Sequence, residues 1–211
     1  MIVGMGADLS DIRRIQASID RFGDRFKNRC FTALERARSD RKPDPAWSYA
    51  SMNLERDVAY ADQHVGKLLN SMNPDLRPFR DRGGKLIQYH GWADWGITPY
   101  NSIDYFNSVV KTVGGSTSAA ARRDVQYFHR LFLMPGVSHC RGGAGPDVFD
   151  GLGALEAWVE RGEAPAQIQA AKIVEGSIVR TRPLCPYPEV ARYDGSGSID
   201  DAANFTCVSA E

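Results

Sequence analysis

Gly83-Gly84-Lys85-Leu86-Ile87-Gln88-Tyr89-His90-Gly91-Trp92-Ala93-Asp94 carries the strand from which the rest of the chain is read. Two glycines release the backbone, and Lys85 to His90 then reads as a buried strand that stops short of a carboxylate. From there the pattern alternates. Pro99 to Val113 predicts a helix with Ile103, Phe106, Val109 and Val110 on one face, and Gly114 to Ala121 reads as a loop. Gln126 to Met134 reads as a second strand, and Phe149 to Val159 as a helix whose Leu152, Leu155 and Trp158 share a face. Strand, helix, strand, helix at this spacing predicts an α/β fold, a parallel sheet with crossover helices. In such sheets reactive groups gather beyond the carboxyl ends of the strands. Asp94 and His139 stand there, four and five residues past their strands.

An acid followed by a histidine on consecutive strand ends is the back half of a Ser–Asp–His triad in α/β-hydrolase order, in which the nucleophile comes first. Ser10, Ser18, Ser39, Ser48, Ser51 and Ser71 precede Asp94, and none lies in the Gly-x-Ser-x-Gly surroundings of a nucleophile elbow. Ser196 follows the histidine, in a turn-rich tail. Plainer readings stand beside the catalytic one. Asp94 in a Gly-Trp-Ala-Asp loop suits a turn or a helix cap, and Pro135-Gly136-Val137-Ser138-His139 suits an ordinary loop. His90 ends a strand and reads as a satisfied core histidine, His129 as a structural strand residue, and His64 as a solvated helix residue. Gly142-Gly143-Ala144-Gly145-Pro146 reads as a flexible connection. No cluster has zinc spacing, and no glycine-rich loop fits a dinucleotide or a P-loop.

Lys+Arg and Asp+Glu both number 26, so no basic excess points to nucleic acid or an anionic membrane surface. An apolar share of 43% suits a packed core, and no run is long enough to span a membrane. Met1 to Asp8 is too short in apolar residues for a signal peptide, so the chain as written reads as cytoplasmic. Cys30, Cys140, Cys185 and Cys207 allow three full pairings. A staple between the two tail cysteines makes physical sense where prolines, glycines and serines leave little apolar surface, and implies an oxidising compartment. Unpaired thiols in a reducing one are the alternative.

Lys42-Pro43-Asp44-Pro45 interrupts helix formation and marks a seam. The chain divides into residues 1–41, a junction at 42–46 and residues 47–211. Past the seam, Val58, Ala61, Val65, Leu68 and Leu69 predict an amphipathic helix.

Residues from about 47 to 207 resemble the C-terminal part of the tannase/feruloyl esterase family. The matching segments are Asp57-Val58-Ala59-Tyr60-Ala61-Asp62, Arg82-Gly83-Gly84-Lys85-Leu86-Ile87, His90-Gly91-Trp92-Ala93-Asp94 and Pro135-Gly136-Val137-Ser138-His139-Cys140. Gly142-Gly143, Gly145-Pro146-Asp147, the run from Arg180 to Pro188 and Gly195-Ser196-Gly197-Ser198 follow in order. The resemblance implies part of an α/β-hydrolase sheet and serine carboxylic-ester hydrolysis of phenolic-acid esters. It implies Asp94 as acid, His139 as base, a Cys185–Cys207 bridge, and Cys140 paired with a cysteine beside the serine. That cysteine belongs to a Cys-Ser-x-Gly-Gly segment, which these residues lack, so a missing N-terminal half is the implied partner. The family is secreted or periplasmic and its chemistry takes no cofactor; its substrate is a small ester, with no nucleic acid or membrane involved.

Met1 to Ile15, with Arg21-Phe22-Gly23-Asp24-Arg25-Phe26, Arg29-Cys30-Phe31-Thr32 and Glu35 to Asp40, is similar instead to the start of holo-acyl-carrier-protein synthase. That resemblance implies a short α/β appendage, magnesium, and Asp8 as a metal ligand. It supplies the alternative function, phosphopantetheinyl transfer, although the family's second ligand in a Lys-Glu-Ala segment is replaced by Ser48-Tyr49-Ala50-Ser51.

Overall fold

The computed structural model describes residues 20–25, 28, 53–66 and 69–209. Asp8, Cys30, Leu68 and nearly all of residues 1–41 lie outside the described residues.

The chain forms two units, residues 1–71 and 72–211. In the first, α1 (Leu54–Ala61) runs on as a single π-helical turn, Asp62–Gly66. Its start is held reciprocally: Asn53 Oδ1 accepts from the Arg56 N–H, and the Asp57 carboxylate accepts from the Asn53 N–H, both at 2.9 Å.

The second unit begins with the short α2 (Arg77–Arg80) and then β1 (Leu86–Gly91). Two helices, α3 (Tyr100–Val113) and α4 (Ala119–Gln126), carry the chain back to β2 (His129–Met134). β1 and β2 pair in parallel, from Leu86 opposite His129 to Gly91 opposite Met134. That crossover is the predicted α/β unit. Its interior departs from the expectation in one respect: Ser118 caps α4 by accepting from the Ala121 N–H at 3.2 Å, so the predicted loop ends at Ser118 and the strand begins only at His129. Ile103, Phe106, Val109 and Val110 are all buried, packed with Ala121, Val125, Phe128 and Leu131. Phe132 and Met134 pack with Val137, Ile168, Ala170 and Leu184. β2 is thus covered on both faces, as a parallel-sheet strand must be.

Beyond β2 the strands turn antiparallel, which the alternating pattern did not predict. β3 (Val148–Phe149), β4 (Ile168–Val174) and β5 (Ser177–Leu184) form one sheet, with α5 (Gly151–Arg161) inserted after β3. β6 (Glu189–Tyr193) and β7 (Phe205–Ser209) form a hairpin. Cys185 and Cys207 are disulfide-bonded, Cα–Cα 5.6 Å apart, and so tie the end of β5 to β7. Closing a loop between residues 22 apart stabilises the fold by about 3 kcal/mol through the unfolded chain's lost entropy. The double variant Cys185→Ala/Cys207→Ala should lose about that much in urea unfolding, and an unchanged midpoint would refute the estimate.

His129 is fully buried between Phe106 and Phe128, and its Nε2–H donates to Gln88 Oε1 at 3.0 Å. Its Nδ1 has no hydrogen-bond partner among the described residues. Burial pushes its pKa down to about 4, so the folded chain holds this ring neutral while the unfolded one protonates near 6.5. The unfolded state therefore binds the extra proton between those values. Stability is full above pH 6.5 and falls by up to about 3 kcal/mol as the pH drops to 4. Urea midpoints at pH 7.5 and 4.5 should separate more for the wild type than for His129→Gln, and equal separations would exclude His129 as the source.

Among the described residues no helix is long and apolar enough to cross a membrane, and no group of three or more His, Cys, Asp or Glu is placed to hold a metal ion.

Candidate active site

The site is assembled where β1 and β2 end. Past Gly91 the chain turns through Trp92 and Ala93, whose N–H groups donate to Met134 O and Val137 O, each at 2.9 Å. The loop after β1 is thereby stitched to the loop after β2. Gly91 permits it: a Cβ there would collide with the carbonyl oxygens of Val137 and Ser138.

Asp94 is almost wholly buried, 4% exposed at the side chain. Its Oδ1 accepts from the N–H groups of Gly96 and Ile97, at 2.8 and 2.9 Å. Its Oδ2 accepts from His139 Nδ1 at 2.8 Å. These donors, the Ile97 N–H foremost, hold the Asp94 carboxyl well below the usual carboxylate range and outweigh its burial. The carboxylate is ionised at any working pH. The His139 side chain is 48% exposed, and among the described residues no hydrogen bond reaches its Nε2. With Nδ1–H committed to the carboxylate, Nε2 carries the lone pair. The structure therefore brings the two sequence-predicted residues together, 45 positions apart in the chain.

The loop that carries His139 is braced. Val137 bridges Gly143, Ser138 N–H donates to Gly142 O at 3.1 Å, and Gly143 takes a φ of +83°. Asp147 Oδ2 accepts from the Gly142 N–H at 2.7 Å, while Lys172 Nζ on β4 donates to Gly143 O at 2.8 Å and to Asp147 Oδ1 at 3.2 Å. The glycine run is thus a folded clamp rather than a flexible connection. The signal missed in the sequence was Asp147, whose side chain is largely buried. Asp147→Ala should cost about 2 kcal/mol of stability, the usual loss for a buried, charge-assisted hydrogen bond, read as a lower urea midpoint. A shift within about 0.5 kcal/mol, the range of ordinary surface substitutions, would show the clamp to be idle.

Cys140 follows His139 with a free, exposed thiol and a φ of +64°. A shallow pocket of about 180 Å³ opens on Asp94 and His139, walled by Tyr89, Ile97, Met134 and Cys140. A larger groove of about 590 Å³ runs from Trp92 and Pro135 to Leu184 and Val190; neither Asp94 nor His139 lines it. One further contact went unread in the sequence. His90 is largely buried and hydrogen-bonded at both ring nitrogens, as expected, but it also stands against Asp94 with its Nε2 3.2 Å from Oδ2. Ser196 lies in the tail outside this cluster.

An imidazole with a carboxylate fixed on one nitrogen and the other nitrogen open can accept a proton from a hydroxyl nucleophile and return it to a leaving group. Comparison with known proteins gives this geometry a context. The model of the tannase and feruloyl esterase family matches residues 25–208. The chain is 49% identical over 137 residues to a mono(2-hydroxyethyl) terephthalate hydrolase of Piscinibacter sakaiensis, covering 64% of this chain and 21% of that one. It is 41% identical over 148 residues to a probable feruloyl esterase of Arthroderma benhamiae, covering 67% and 26%. Among solved structures it is similar to feruloyl esterase B from Aspergillus oryzae, with TM-score 0.67, 31% identity, and coverage of 77% of this chain and 34% of that one. The chain spans between 21% and 33% of the length of the curated relatives it matches.

Proposed function

Because the chain belongs to the tannase and feruloyl esterase family, we propose that it carries the acid and base of a serine carboxylic-ester hydrolase acting on phenolic-acid esters. The observation that supports this most is the bond from His139 Nδ1–H to Asp94 Oδ2, 2.8 Å long, which leaves Nε2 as the nitrogen that can accept a proton. In this reading Nε2 takes the proton of a serine hydroxyl as it attacks the ester carbonyl. The resulting imidazolium is stabilised by Asp94 and then protonates the departing alcohol. Water repeats the cycle on the acyl-enzyme. The chain spans a minor share of its relatives, so the serine and its oxyanion donors are assigned to polypeptide outside these 211 residues. In this reading the exposed thiol of Cys140, one residue past the base, pairs with a cysteine of that polypeptide. The Cys185–Cys207 bridge supports an oxidising, extracytoplasmic setting.

The test is reassembly. The chain is mixed with a separately expressed segment holding the family's nucleophile elbow, and hydrolysis of methyl ferulate is followed. Turnover that needs both parts, and is lost with His139→Ala, is the expected result. Turnover indifferent to His139→Ala would refute the assignment.

A further inference from the structure

His90 sits between Asp94 and the first turn of α3, and its ring nitrogens are committed on both sides. Nε2 lies 3.2 Å from Asp94 Oδ2 and 3.0 Å from Ile97 O. Both are acceptors, so Nε2 must carry the proton and share it between them. Nδ1 of the neutral ring is then the acceptor, and it lies 2.7 Å from Ser102 Oγ, a buried hydroxyl on α3 that can donate to it. The surroundings thus select one tautomer without any titration.

The consequence falls on Asp94. Ile97 grips the carboxylate from one side, its N–H donating to Oδ1 at 2.9 Å. Its carbonyl is held in turn by His90, which also donates to Oδ2, the oxygen that His139 uses. A closed ring of Asp94, Ile97 and His90 results, anchored to α3 through Ser102. A carboxylate held by one oxygen alone can swing about its terminal torsion, which is broad; here both oxygens are fixed. We propose that His90, set by Ser102, is a positioning residue: it holds Asp94 Oδ2 in line with His139 Nδ1 and so keeps His139 in the single tautomer a base requires. The inference rests on the acid–base reading of Asp94 and His139, and it reaches beyond that pair to His90, which lines the same pocket, and to Ser102 behind it.

The experiment is a long-range ¹H–¹⁵N correlation spectrum of the full, ¹⁵N-labelled chain at pH 8, where its four histidines report their tautomers directly. In the wild type His139 should appear in the Nδ1–H form alone, and His90 in the Nε2–H form. His90→Phe keeps a ring but removes the donor, and His139 should then lose its single form and show a mixture. His90→Gln returns an N–H near the Nε2 position and should restore the single form. A purely structural role would not separate Phe from Gln in this way. Retention of the single His139 form in His90→Phe would overturn the proposal, provided Asp94→Ala abolishes it. A wild-type His90 in the Nδ1–H form would overturn it without any variant, because Nε2 would then have no proton to give. A His139 tautomer unchanged in Asp94→Ala would instead overturn the acid–base reading, and the proposal with it.

Discussion

Purified chain is expected to hydrolyse methyl gallate, methyl ferulate or a nitrophenyl ester no faster than the same chain carrying His139→Ala. The Asp94–His139 pair is formed, the carboxylate is held ionised, and the His139 ring is half exposed. None of this lowers a barrier without a nucleophile to deprotonate. In a serine protease, removing the serine alone costs about as much as removing the whole triad, roughly 10⁶ in kcat. Oxyanion donors, which supply some of the largest single contributions to acyl transfer, belong in our proposal with the serine, on the partner polypeptide. Reassembly should therefore raise the rate by orders of magnitude while the isolated chain stays at background. Turnover by the isolated chain that vanishes with His139→Ala would mean that a water or an unrecognised hydroxyl serves as nucleophile.

What could be read from the residues, and what could not, divides along the distance over which each feature is determined. β1 and the buried face of α3 are local. A glycine pair followed by an apolar run, and four apolar residues at helical spacing, carry their own periodicity. Asp94 and His139 follow because chain order and strand ends locate them. α4 was only half legible, since Ser118 fits a loop and an N-cap equally well until its hydroxyl is seen accepting from Ala121. β3 to β7 were not legible. β4, β5 and β6 carry charges, β3 has only two residues, and the registers depend on partners such as Ala191 opposite Cys207, sixteen residues apart in sequence. His90 is the clearest case. Its sequence neighbours say only that it ends a strand. Its placement depends on Ser102 twelve residues on and on the turn that aims Asp94 back toward it. The clamp of Asp147 and Lys172 is hidden for the same reason, because the lysine lies 25 residues away on β4.

Asp94→Asn, in the reassembled enzyme, should lower kcat by about 10⁴, the loss seen when the acid of a serine-protease triad becomes an amide, with KM little changed. The local geometry dictates how. Two backbone donors, Gly96 N–H and Ile97 N–H, converge on Oδ1. They pin the carbonyl oxygen of the asparagine there and force its NH₂ into the place of Oδ2. That NH₂ then faces His139 Nδ1 and His90 Nε2, where the carboxylate had accepted from both. Donor meets donor, and His139 can accept only by moving its proton to Nε2, the nitrogen that must receive the serine proton. The ring keeps its place but holds the wrong tautomer, so the ground-state complex survives while proton transfer in the transition state is lost. A fall confined to KM, or a kcat loss under about tenfold, would show that Asp94 only shapes the loop. A loss near the expected size, with His139 shifted to its Nε2–H form in the isolated chain, would tie the kinetics to the tautomer that Asp94 selects.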